Sequence, residues 1–136
     1  MINLRVISSL SSYISDSSVR FDKEPRLLKI ENLLLFMLTL FIYFYLFKFS
    51  LWYFLILLFI PDVSMIGYFI NTKVGAYIYN TIHYLFFPIT LLFISILVKS
   101  NTATMIALIW ISHIFMDRSL GFGLKYLDDF KHTHLS

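Results

Sequence analysis

From residue 27 onward the chain is written in long apolar runs separated by short polar breaks. Four runs stand out, at about 27–47, 51–70, 74–98 and 102–120, and the breaks between them carry "KFS", "NTK" and "KSNT". An α-helix needs roughly 20 apolar residues to cross a hydrocarbon core about 30 Å thick, so each run has the length of one membrane span. Breaks this short oblige neighbouring helices to run antiparallel, and the pattern predicts an all-α, polytopic bundle of four transmembrane helices. The stretch "KEPRLLKIEN" opens the first helix, with Pro25 in the first turn, where a missing N–H is no loss.

The flanks read differently. Residues 1–24 form a Ser-rich N-terminal segment of mixed charge, expected to be a solvated tail in preference to the alternative of a short amphipathic turn within Met1 to Leu10. A secretory signal peptide is excluded there, because its centre would be apolar. After the bundle at 25–120, residues 121–136 read as a C-terminal tail that Gly121 and Gly123 let fold back beneath it. Neither a second domain nor an internal repeat is visible.

Composition and charge extend this picture. Of the 136 residues, 59% are hydrophobic and only 14% charged, where a soluble domain carries roughly a quarter charged. Mean hydropathy is +0.78. The partner implied is the lipid bilayer, with the chain passing several times through a cell membrane. Basic residues are sided: Arg5, Arg20, Lys23, Arg26, Lys29, Lys73, Arg118, Lys125 and Lys131 fall at one end of the expected bundle, and Lys48 and Lys99 at the other. The positive-inside rule then places both termini in the cytoplasm, with Tyr43, Tyr45, Trp52 and Tyr53 marking the outer interface. That distribution accounts for the net charge of +3, and no nucleic-acid partner is expected.

The candidate chemistry lies in the few ionisable residues inside the apolar runs. At about 1.5 Å of rise per residue, Asp62 falls roughly 17 Å below the outer edge of the second helix. His83 falls about 15 Å above the inner edge of the third, and His113 about 17 Å down the fourth, with Asp117 one turn deeper. Glu31 sits at the cytoplasmic end of the first. Charges at such depths cost a few kcal/mol each, so they face one another or a wet cavity. One site in the cytoplasmic half of the bilayer is predicted. His113 and Asp117 stack at i and i+4, and Tyr79, Asn80 and His83 share a helical face. Pro61 cannot donate to the carbonyl of Leu57 nor Pro88 to that of Tyr84, so both helices should bend there. Gly67, Gly75 and Ala76 allow close backbone approach.

With no cysteine in the chain, a metal must be held by imidazole and carboxylate. Asp62, His83, His113 and Asp117, with His134 of the tail in addition, form such a set, and mixed nitrogen and oxygen donors suit zinc, iron or manganese. Glu31, Tyr79, Asn80 and Arg118 are the expected polar surround. A divalent ion with an open position would support a metal-dependent membrane enzyme. The alternatives are a proton- or ion-coupled transporter, for which four helices suffice only in a homo-oligomer, and an assembly module whose polar network serves packing.

The stretches "PDVSMIGY", "VGAYIYNTIH", "HIFMDRSLGFGLKY" and "FKHTHL" carry a family pattern. In order and spacing over about residues 27–135 the chain resembles the uncharacterised membrane family called domain of unknown function 4260. Glu31, Pro61, Asp62, Ser64, Gly67, Tyr68, Gly75, Tyr79, Asn80, His83, His113, Asp117, Arg118, Lys125, Tyr126 and His134 fall on its motif positions. Phe122 stands where that family more often has Tyr, which argues against a required phenol. The resemblance implies a small multi-pass membrane protein with no established activity. A fainter similarity, in "PD" and the terminal "TH", is to membrane-bound metal-dependent hydrolases.

Overall fold

The computed structural model describes residues 4–21 and 24–124, and these are helical nearly throughout. Helix α1 covers Leu4–Phe21, α2 Glu24–Phe41, α3 Leu51–Leu57, α4 Thr72–Ile82, α5 Phe86–Leu97 and α6 Asn101–Leu120. A π-helical turn, Ile42–Leu46, prolongs α2, and a 3-10 segment, Ile60–Phe69, prolongs α3. Among the described residues there is no strand. Leu4–Phe21 is one continuous α-helix, longer than the short turn weighed for Met1 to Leu10, and Leu4, Val6, Ile7 and Leu10 lie exposed on it.

Among the described residues three stretches are long and apolar enough to cross a membrane: Arg26–Leu46, Leu51–Phe69 and Thr72–Leu97. Their large apolar side chains point outward in great number, as surfaces that meet hydrocarbon do, with Phe69 91% exposed. The fourth expected span, α6, is not among them. Its apolar run is diluted by Asn101, His113, Asp117 and Arg118, and its position in the molecule explains why that is tolerated. α6 packs against α2 and α5, and between Ala107 and Asp117 every residue is buried or half-buried on all sides of the helix. A helix enclosed by protein needs no lipid-facing stripe.

Both loops at one end of the bundle are built alike. Lys48 and Lys99 take left-handed backbone at φ 52° and 55°, and a serine two or one residues later caps the next helix. The Ser50 hydroxyl accepts from the Trp52 N–H, and that of Ser100 from the Ala103 N–H. At the opposite end, Asn71 Oδ1 accepts from Val74 N–H at 2.9 Å to start α4. Gly121, at φ 96°, ends α6 with its own N–H on the Arg118 carbonyl and that of Phe122 on the Asp117 carbonyl. This is the paired closure that left-handed glycine permits.

Tyr43 corrects an expectation. It was placed with the rings of the outer interface, yet it is fully buried, with its hydroxyl on the Ser50 carbonyl at 2.9 Å. Its ring is the hub of an apolar core with Phe54, Leu58, Leu108 and Ile109. Tyr45, Trp52 and Tyr53 do stay exposed. The two expected bends appear as interruptions. The chain leaves α geometry at Leu58–Phe59, just before Pro61, and stops between α4 and α5 at residues 83–85, with Pro88 in the first turn of α5. The Tyr84 carbonyl is not left open by Pro88, since it accepts from the Phe87 N–H at 3.3 Å.

Where the 3-10 segment meets α4 the backbones nearly touch. A methyl group on Gly75 would fall 2.3–2.6 Å from the Tyr68 ring, and one on Gly67 3.1 Å from the Gly75 Cα. Only glycine allows this approach.

Candidate metal centre

The 3-10 geometry aims Asp62. With three residues per turn, positions recur every third residue, and the segment divides into three faces. Pro61 and Gly67 are buried, Asp62, Met65 and Tyr68 are half-buried, and Ile60, Val63, Ile66 and Phe69 are exposed. Asp62 therefore sits at the margin between the protein interior and the outer apolar surface.

His83 ends α4. Its backbone N–H and its ring Nδ1 both lie 2.9 Å from the Tyr79 carbonyl oxygen. A carbonyl can only accept, so Nδ1 carries the proton and Nε2 presents a lone pair. The ring is stacked on Tyr79, centroids 3.7 Å apart and planes within 12°. His113 and Asp117 come from one face of α6. His113 is completely buried, and the Asp117 side chain is 12% exposed.

These four side chains converge. His83 Nε2 is 3.0 Å from His113 Nε2, 3.4 Å from Asp117 Oδ2 and 3.9 Å from Asp62 Oδ1. His113 Nε2 is 3.3 Å from Asp62 Oδ1 and 3.4 Å from Asp117 Oδ2. All four atoms lie within 4.8 Å of one another. Donor bonds of about 2.0–2.1 Å around one ion put tetrahedral neighbours about 3.3 Å apart, close to most of these separations. Two carboxylates and two neutral imidazoles also carry two negative charges, which a divalent cation would cancel in a setting that penalises net charge.

The surroundings orient the set. The Tyr79 hydroxyl donates to Asp117 Oδ2 at 3.3 Å, and the Tyr79 carbonyl fixes the His83 tautomer, so one residue supports two ligands. Pairings of this kind are what metal-bound histidines use. Among the described residues no acceptor meets full hydrogen-bond geometry at the buried His113 Nδ1. Pro61 has no N–H to offer Leu58 at the three-residue spacing, and the Asp62 N–H goes to the Phe59 carbonyl. Asp62 has the most accessible side chain of the four, 35% exposed. It borders a cavity of about 330 Å³ with Met65, Ile66, Tyr68 and Phe69, the natural approach for water or a substrate.

Other expected residues fall outside the cluster. Glu31 is exposed on α2 and is not among the groups within reach of a common ion. Asn80 and Arg118 are half-buried and follow Tyr79 and Asp117 in sequence. His134 lies outside the described residues. Trp110, which the sequence does not single out, donates its Nε1–H to the Ile82 carbonyl at 2.7 Å. It ties α6 to the frayed end of α4, one residue from His83. A tryptophan three positions before a buried histidine was the only available signal.

With this geometry in view, residues 25–136 match the family described as domain of unknown function (DUF4260). The chain belongs to this family. All four converging residues lie in the matched region and α1 precedes it, as the sequence resemblance implied. No curated protein and no solved structure matches the chain.

Proposed function

We propose that this DUF4260 member is a multi-pass protein of the cell membrane that binds one divalent metal ion through Asp62, His83, His113 and Asp117. A single observation supports the reading most: four ligand atoms converge, and His83 Nε2 and both carboxylate oxygens present lone pairs to the space a cation would fill. Near-tetrahedral spacing with nitrogen and oxygen donors favours zinc, with iron or manganese next. Four protein ligands would close a tetrahedral ion, so chemistry would need one position freed, and Asp62, on the accessible side, is the ligand best placed to give it up. A water taking that position would have its pKa lowered by the ion, and the freed Asp62 carboxylate would accept its proton. Metal-assisted hydrolysis in the membrane is the reaction class this arrangement suits.

The topology proposed has four spans, α6 being the enclosed one, and cytoplasmic termini. Nine basic residues against two support that orientation, and it puts the centre in the cytoplasmic half of the bilayer. Elemental analysis of detergent-purified protein tests the metal. About one ion per chain is expected after supply of zinc, iron and manganese without chelator. Less than about one ion per ten chains would refute the reading, since four ligands with oriented partners bind far more tightly than that.

A further inference from the structure

A second cavity, about 590 Å³, lies beside the metal ligands, in the size range of small-molecule sites. Its lining includes Pro61, Ser64, Ile78, Ile82, Ile109 and Trp110. Pro61 and Ile82 directly precede Asp62 and His83, and Ile109 lies one helical turn before His113, so the cavity abuts the centre. Its walls are apolar with one exception. Ser64 is the one hydroxyl-bearing residue of the lining, and its buried hydroxyl has no hydrogen-bond partner among the described residues, so that a turn of this side chain would offer it to the cavity. A buried hydroxyl left unpaired is costly, and here it marks where a ligand's polar end would lie. Val63 and Ile106 of the same lining are exposed on the outer apolar surface, so the cavity is reached sideways, from hydrocarbon rather than from water.

We infer that this cavity holds the acyl chain of a membrane amphiphile, whose carbonyl end lies by Ser64 and the Asp–His centre. The inference rests on the metal reading for its chemistry, and names the substrate class of that site. An apolar slot open to lipid takes a chain, and a polar corner beside four ligands takes a carboxyl or ester group. Both a free fatty acid and the chain of a phospholipid have this chemistry.

The test uses the full chain in nanodiscs doped with either a diazirine-bearing fatty acid or a phospholipid carrying the same diazirine chain. Photo-adducts are mapped by mass spectrometry, and metal content is measured on the same samples. Adducts are expected at residues 57–64, 78–82 and 106–110, and unlabelled lipid of the same kind should compete them away. Ser64→Phe should reduce them about tenfold, while adducts at the exposed Phe93 stay constant. Ile106→Trp, at a position already exposed, repeats the test should Ser64→Phe fail to fold. Labelling by the free acid alone identifies a single-chain ligand, and labelling by the phospholipid alone identifies a bilayer lipid. Adducts spread evenly over the outer surface and unaffected by either substitution would overturn the inference. Saturable adducts in a protein without metal would leave the chain site standing and remove the metal reading; metal without such adducts would do the reverse.

Discussion

At His83 the helix stops, and the carbonyl one turn back accepts from both its backbone N–H and its imidazole. Because Tyr79 supplies that carbonyl and also donates its hydroxyl to Asp117, the two functions separate by substitution. Tyr79→Phe keeps the backbone bond and loses the other, so metal affinity should fall by about 10- to 100-fold without disappearing. His83→Ala and His113→Ala each remove a ligand and should abolish stoichiometric binding. Competition with a chelator of known affinity distinguishes these results, and equal losses in all three variants would show that Tyr79 does more than orient. Lys48 and Lys99 make a different case. Their left-handed backbone costs a side chain about 1–2 kcal/mol that glycine avoids. Lys99→Gly should therefore raise stability by about 1 kcal/mol in chemical unfolding with metal content unchanged; an unfolding midpoint that stays put or falls would mean the lysine side chain compensates for the strain.

The elements themselves were largely readable, because runs of apolar residues near the length of a bilayer leave few alternatives to helix. Their interruptions were readable in part. Pro61 and Pro88 announced them, yet Pro88 sits inside the first turn of α5 while the break falls three to five residues earlier. The residue before a proline resists helix, but which upstream turn gives way is decided by packing. Nothing in "IPDVSMIGYF" distinguishes a period of 3.0 from 3.6, and that difference determines which side chains share the face of Asp62. The ionisable positions were legible for a stronger reason, since charges in apolar runs demand company. Tyr43 and Trp110 were not, because an amphipathic ring suits an interface as well as a buried acceptor. At the junction of the 3-10 segment with α4, Gly75→Ala should cost about 1–3 kcal/mol through overpacking against Tyr68. Adding Tyr68→Ala should recover part of that loss; thermal unfolding of the single and double variants decides, and no recovery would place the clash elsewhere.

For the whole molecule, the absence of cysteine from the sequence makes topology directly measurable. Single cysteines at Ser50 and Asn101 should react from outside with an impermeant thiol reagent in intact cells, and one at Lys73 only after permeabilisation. The reverse pattern would move the metal centre to the outer half of the bilayer. The enclosure of α6 also bears on how the protein is made. A growing chain delivers α2 through α5 before α6, and those helices are apolar enough to enter lipid unaided. α6 carries an aspartate and an arginine near its end, which add to the cost of inserting it, and it enters most easily into a slot its predecessors already line. On the proposed reading Asp62 and His83 would be in place before His113 and Asp117 arrive, so the capacity to hold an ion would arise only once α6 has joined, and a chain stalled before residue 101 would carry half of the proposed ligand set.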